Sequence, residues 1–76
     1  MIEGKSVLDL VTAAKVGASL ELDARQYSVR DLTTIASALQ PGAHMRLFHW
    51  STKSPLDISA IVRGKQGQLK GQVILG

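Results

Sequence analysis

Four groups of residues have side chains that can do chemistry, and their spacing decides which chemistry. His44 and His49 are the chain's two imidazoles. Five residues apart on an extended segment, they fall on opposite faces, so they do not converge on one metal ion. Ser6 and Asp9, Ser28 and Asp31, and Ser54 and Asp57 each pair a hydroxyl with a carboxylate three positions on. A nucleophilic serine needs a base at its side, and no histidine accompanies any of these pairs. The spacing is that of a helix start instead: the serine oxygen accepts from a free backbone N–H of the first turn, and the acid complements the positive helix end. Glu21 and Asp23 share one face of an extended segment and could act as paired carboxylates. Nothing around them suggests a pocket, and a solvated face explains them.

The fourth group is Arg63-Gly64-Lys65-Gln66-Gly67-Gln68-Leu69-Lys70-Gly71. Flexible backbone N–H groups beside cations can cradle phosphate. The Gly-x-x-x-x-Gly-Lys-Ser/Thr spacing of a phosphate loop is not met. The expectation is a chain that is not an enzyme, with no catalytic residue, metal ligand or cofactor.

The three Ser-x-x-Asp starts reveal how the chain is organised. Ser6-Val7-Leu8-Asp9-Leu10, Ser28-Val29-Arg30-Asp31-Leu32 and Ser54-Pro55-Leu56-Asp57-Ile58 are copies of one pattern, 22 and 26 residues apart. Apolar residues follow at helical spacing: Val7, Leu10, Ala14; Val29, Leu32, Ile35, Ala36, Leu39; Ile58, Ile61, Val62. Pro55 occupies a first helical position, where its missing N–H is harmless. Gly17, Pro41-Gly42 and Gly64 are stop signals. The spacing predicts helices near 6–16, 28–39 and 54–63.

A short alternating run follows each stop: 18–23, 44–50 and 71–75. A consistent helix–strand order with short connections implies parallel strands. The segment Gly64–Gly71 is the least defined; it is either a loop or, from Gln68, the start of a longer strand. The expected fold is α/β, with three helix–strand repeats forming a small parallel three-stranded sheet and helices on one face.

A unit of this length with Leu20-Glu21-Leu22 and Met45-Arg46-Leu47 in its strands, and Leu32 and Leu39 in its helix, resembles the leucine-rich repeat. Arg25-Gln26 and Ser51-Thr52 stand where that family carries a turning asparagine. The resemblance implies a curved stack whose strand face binds protein partners.

With helices on one side, alternation divides the strand residues. Leu20, Leu22, Met45, Leu47, Val73 and Leu75 should point inward. Ser19, Glu21, Asp23, His44, Arg46, Phe48, Trp50, Gln72 and Ile74 should point outward. Glu21 and Arg46 should face each other across neighbouring strands. Phe48 and Trp50, the only Phe and only Trp, should stand two apart on one strand, both away from the helices. Aromatic residues and Arg concentrate at binding hot spots. The expected partner-binding residues are therefore Glu21, Arg46, Phe48, Trp50 and Ile74, used by a protein-interaction module that binds a macromolecule or a second copy as a homodimer.

Charge supports an alternative. The chain carries +3 overall, yet from His44 onward five basic residues face only Asp57. A basic half can meet nucleic acid, here through Arg63, Lys65 and Lys70. Seventy-six residues make a single domain, 1–76. With no cysteine, no disulfide or thiolate site supplements the core. No secretory signal pattern opens the chain and no run approaches a membrane span, so a cytoplasmic protein without membrane contact is expected.

Overall fold

The computed structural model describes residues 6–76, so the first five residues of the expected 1–76 domain lie outside the described residues. Its helices are α1 (Val7–Lys15), α2 (Val29–Ser37) and α3 (Pro55–Arg63), and its strands β1 (Leu20–Asp23), β2 (His44–Phe48) and β3 (Gln72–Leu75), in strict helix–strand alternation. Each helix starts at the expected serine. The backbone N–H of Asp9 donates to Ser6 Oγ at 3.2 Å, that of Asp31 to Ser28 Oγ at 3.1 Å, and that of Asp57 to Ser54 Oγ at 3.2 Å. At α1 the cap is reciprocal, because Ser6 N also donates to the Asp9 carboxylate at 3.3 Å. Helices of nine residues are too short to persist alone, so the apolar face of each must be buried to hold it.

The strands form one parallel sheet in the order β1-β2-β3. Leu20 pairs with Met45, Glu21 with Arg46 and Leu22 with Leu47. On the other side of β2, Met45 pairs with Val73, Arg46 with Ile74 and Leu47 with Leu75. The alternation is as expected over β1 and β2. Leu20, Leu22, Met45 and Leu47 are buried with Leu10, Leu32, Ile35 and Ile61 of the helices and with Leu39, which lies just past the end of α2 rather than inside it as expected. Four alanines, Ala14, Ala24, Ala36 and Ala43, are also buried. Their small side chains let the elements approach closely.

Gly71 marks the tightest approach. A Cβ built there would lie 2.7 Å from Leu39 Cβ and 2.8 Å from the Ala43 carbonyl oxygen. Only glycine lets the chain enter β3 against the end of α2, where Gln72 N donates to the Ala43 carbonyl at 3.1 Å. The segment before it resolves the two alternatives left open by the sequence. Lys65–Gly67 form a short 3-10 turn, and only Gln72–Leu75 are strand.

Two expectations need correction. Trp50 does not extend β2. The ladder ends at Phe48, because β1 offers no partner beyond Asp23. His49 then adopts a left-handed conformation with φ 57°, and Trp50 opens a 3-10 turn over Trp50–Thr52. Leu75 was expected inside but is 39% exposed. It sits on the last strand, and no further helix–strand unit lies beyond β3 among the described residues to cover it. No helix of the described residues is long and apolar enough to cross a membrane.

Candidate interaction surface

The face of the sheet turned from the helices is built by the outward half of the alternation. Glu21, Arg46 and Ile74 form one row across the three strands, since Glu21 pairs with Arg46 and Arg46 with Ile74. The Arg46 Nε lies 3.6 Å from Glu21 Oε2, an ion pair at the expected cross-strand position. That distance is too long for a hydrogen bond, and the Arg46 Nε is shielded from solvent without a hydrogen-bond partner. Both side chains are well exposed otherwise. An exposed pair of this kind is worth about 0.2–1 kcal/mol at most. The contact sets the Arg46 guanidinium beside the Glu21 carboxylate on the outer face.

Phe48 closes the same face at the end of β2. Phe48 and Trp50 are each 38% exposed, far above the core residues. They do not share a strand face as the sequence suggested. Trp50 belongs to the turn after β2, which packs beside the Ala24–Gln26 turn after β1. The structure thus places the two aromatics either side of His49 at the C-terminal end of β2, Phe48 on the strand and Trp50 on the turn. Ile74 is half-buried and Gln72 exposed on β3.

Asp23 has a structural task that sequence reading missed. Its carboxylate accepts from Arg25 N at 2.9 Å and from Arg25 Nη2 at 2.7 Å. The Arg25 hydrogen bonds, side chain first and backbone second, hold the Asp23 carboxyl down at about 2, with a smaller contribution from His49. The same contact raises the Arg25 guanidinium. Asp23 is therefore a turn-forming anion committed to Arg25 rather than one of a catalytic pair with Glu21. The signal that could have found it is Asp-x-Arg at the end of a strand, where an Asx turn is common.

The alternative basic site is only partly assembled. Arg63 and Lys65 line an open groove of about 590 Å³ together with Thr33, Ala60, Gly64, Gln66 and Gly67. Lys70 is exposed but does not line it. The groove lies between α2 and the turn after α3. Lys65 N donates to Ser37 Oγ at 2.6 Å and ties that turn to α2. Gln66 holds a left-handed conformation at φ 58°, uncommon for a residue with a side chain. Among the described residues there is no group of three potential metal ligands.

No family model matches the chain, no curated protein matches it, and no solved structure matches it. The leucine-rich-repeat resemblance is accordingly one of pattern, in the parallel Leu-x-Leu strands and stacked helices. No property of that family is carried onto these residues.

Proposed function

We propose that this chain is a non-enzymatic interaction module that binds a protein partner through the outer face of its sheet and the edge of β3. The observation that carries the reading is the row Glu21–Arg46–Ile74, continued by exposed Phe48, on a sheet face that no other element of the described residues covers. It combines a guanidinium, a carboxylate and apolar groups on one sheet face. Such a mixture suits macromolecular recognition better than small-molecule binding, which favours concave apolar pockets. Exposed Trp50, on the turn after β2, is included in the proposed surface.

Photo-crosslinking in cells tests the reading. A photoreactive phenylalanine analogue at position 48 is expected to give protein adducts that Arg46→Ala or Trp50→Ala suppresses. The same analogue at Thr34, exposed on α2, is expected to give none. Adducts only from Thr34 would place binding on the helical side and overturn it.

A second reading is favoured by one observation, the groove that brings Arg63 and Lys65 together. In that reading the basic half contacts nucleic-acid phosphates. Binding of a labelled single-stranded oligonucleotide would then fall steeply between about 50 and 200 mM salt. It would weaken further in Arg63→Ala and Lys65→Ala.

A further inference from the structure

The two ends of the sheet are finished differently. At β1 the inward side chains are closed off: Leu20 is 6% exposed and Leu22 4%. That edge also carries Glu21 and Asp23 within four residues, and charges on an edge strand discourage pairing with another chain. At β3 the inward Val73 is only half-buried and Leu75 is open. Gln72-Val73-Ile74-Leu75 contains neither charge nor proline.

The backbone of β3 has a definite polarity. Gln72 N donates to Ala43 O and Gly76 N to Leu47 O. Alternation then turns Gln72, Ile74 and Gly76 toward β2. It turns the N–H and C=O groups of Val73 and Leu75 toward the far side, where no strand of the described residues adjoins β3.

From these observations we infer that β3 pairs with β3 of a second copy, antiparallel about a two-fold axis through Ile74, giving one six-stranded sheet. The inference rests on the reading of the sheet as the interaction surface and names its edge partner. In this register Val73 stands opposite the partner copy's Leu75, and the reverse. Both are outward-turned residues, so both pairs are hydrogen-bonded and four backbone bonds form. Ile74 meets its own counterpart as the non-hydrogen-bonded pair, with Cα atoms about 4.5 Å apart.

On the inner side Val73 and Leu75 cover each other across the axis, which completes the burial missing at this end. A two-fold axis perpendicular to the sheet leaves all helices on the same side, so the outer row is preserved and doubled. Head-to-tail pairing with β1 would instead set an uncharged edge against the one bearing Glu21 and Asp23, and it would not close. The contact is small, so affinity in the micromolar to millimolar range is expected.

Cysteine cross-linking combined with sedimentation tests this, and the absence of native cysteine makes it clean. Under mild oxidation Ile74→Cys is expected to form a covalent dimer, because about 4.5 Å between Cα atoms lies within disulfide reach. Gln72→Cys, on the same face, is expected to give none, since the two copies of that position would stand roughly 14 Å apart along the strands.

Sedimentation of the unmodified chain over a concentration series should show a monomer–dimer equilibrium. Ile74→Glu should shift it to monomer, because two carboxylates would meet at the axis where two apolar side chains met before. Strict monomer behaviour up to roughly millimolar concentration, equal cross-linking at both positions, a dimer untouched by Ile74→Glu, or open-ended growth beyond a dimer would each overturn the pairing. Photo-adducts from position 48 that persist in a strictly monomeric protein would show that the pairing alone had failed. Loss of those adducts with the dimer intact would show the reverse.

Discussion

Arg46 and Glu21 stand in register on adjacent parallel strands, with Nε 3.6 Å from the carboxylate, on the sheet face opposite the helical layer. Both side chains are largely exposed although the Arg46 Nε itself is shielded, so the pair's contribution to stability is small. Glu21→Gln is expected to lower stability by about 0.2–1 kcal/mol, with the difference shrinking at high salt. Photo-adducts from position 48 should fall more than stability does. Urea denaturation at low and high salt, beside the cross-linking yield, checks this. A loss above about 3 kcal/mol would mean that the pair supports the fold.

The Ser28 cap offers a second test. Its hydroxyl satisfies Asp31 N at 3.1 Å on a helix of nine residues. Ser28→Ala should cost about 0.5–2 kcal/mol. Asp31→Ala, which removes a negative charge near the positive helix end, should cost about 0.3–1 kcal/mol. Equilibrium denaturation measures both, and unchanged midpoints in both variants would contradict the cap.

Gly71 should be intolerant of any side chain. A Cβ would press on Leu39 Cβ and the Ala43 carbonyl, both inside 3 Å. Gly71→Ala is expected to destabilise by about 1–3 kcal/mol through overpacking and displacement of β3. Gly67→Ala meets nothing within 4 Å, although its φ of +70° carries a backbone cost. It therefore separates the steric effect from glycine's conformational one. Equal midpoints for the Gly71→Ala variant and the unmodified chain would contradict the close approach.

The Asp23–Arg25 contact predicts a titration. The carboxyl is held at about 2 against an ordinary value of 3.8, chiefly by hydrogen bonds from Arg25. A depressed folded value means that the contact stabilises fully above the unfolded value. That stability is lost as pH falls through about 4 towards 2. The side-chain carboxyl of Asp23, followed by NMR, should titrate near 2 and return toward 3.8 in Arg25→Ala. An unchanged midpoint in that variant would show that another group holds the anion.

Much of this architecture is legible in the sequence. Ser6, Ser28 and Ser54 announce their helices because capping is local, and the Leu20, Leu22, Met45 and Leu47 alternation is set by the two-residue period of a strand. What escaped depends on neighbours rather than on local pattern. Trp50 alternates correctly, yet a strand lasts only as long as its partners, and β1 stops at Asp23. Leu75 has an inward position, but burial needs a layer on its far side. Gly71 looks like a loop glycine until Leu39 is packed against it. On the candidate surface, the Glu21–Arg46 pair followed from register. The joining of Arg63 and Lys65 without Lys70 depends on the turn after α3, whose left-handed Gln66 has no sequence signature.

The most direct measurement of the central claim, that the sheet and not the helical layer is the working surface, is residue-resolved amide hydrogen exchange in dilute and concentrated protein. Val73 and Leu75, whose N–H groups face the open edge, are expected to exchange freely when dilute and to gain at least about tenfold protection when concentrated, as a bonded edge amide does. Exposed amides in the first turns of α1, α2 and α3 are expected not to change. Concentration-dependent protection confined to helix amides, with Val73 and Leu75 exchanging freely throughout, would contradict the account.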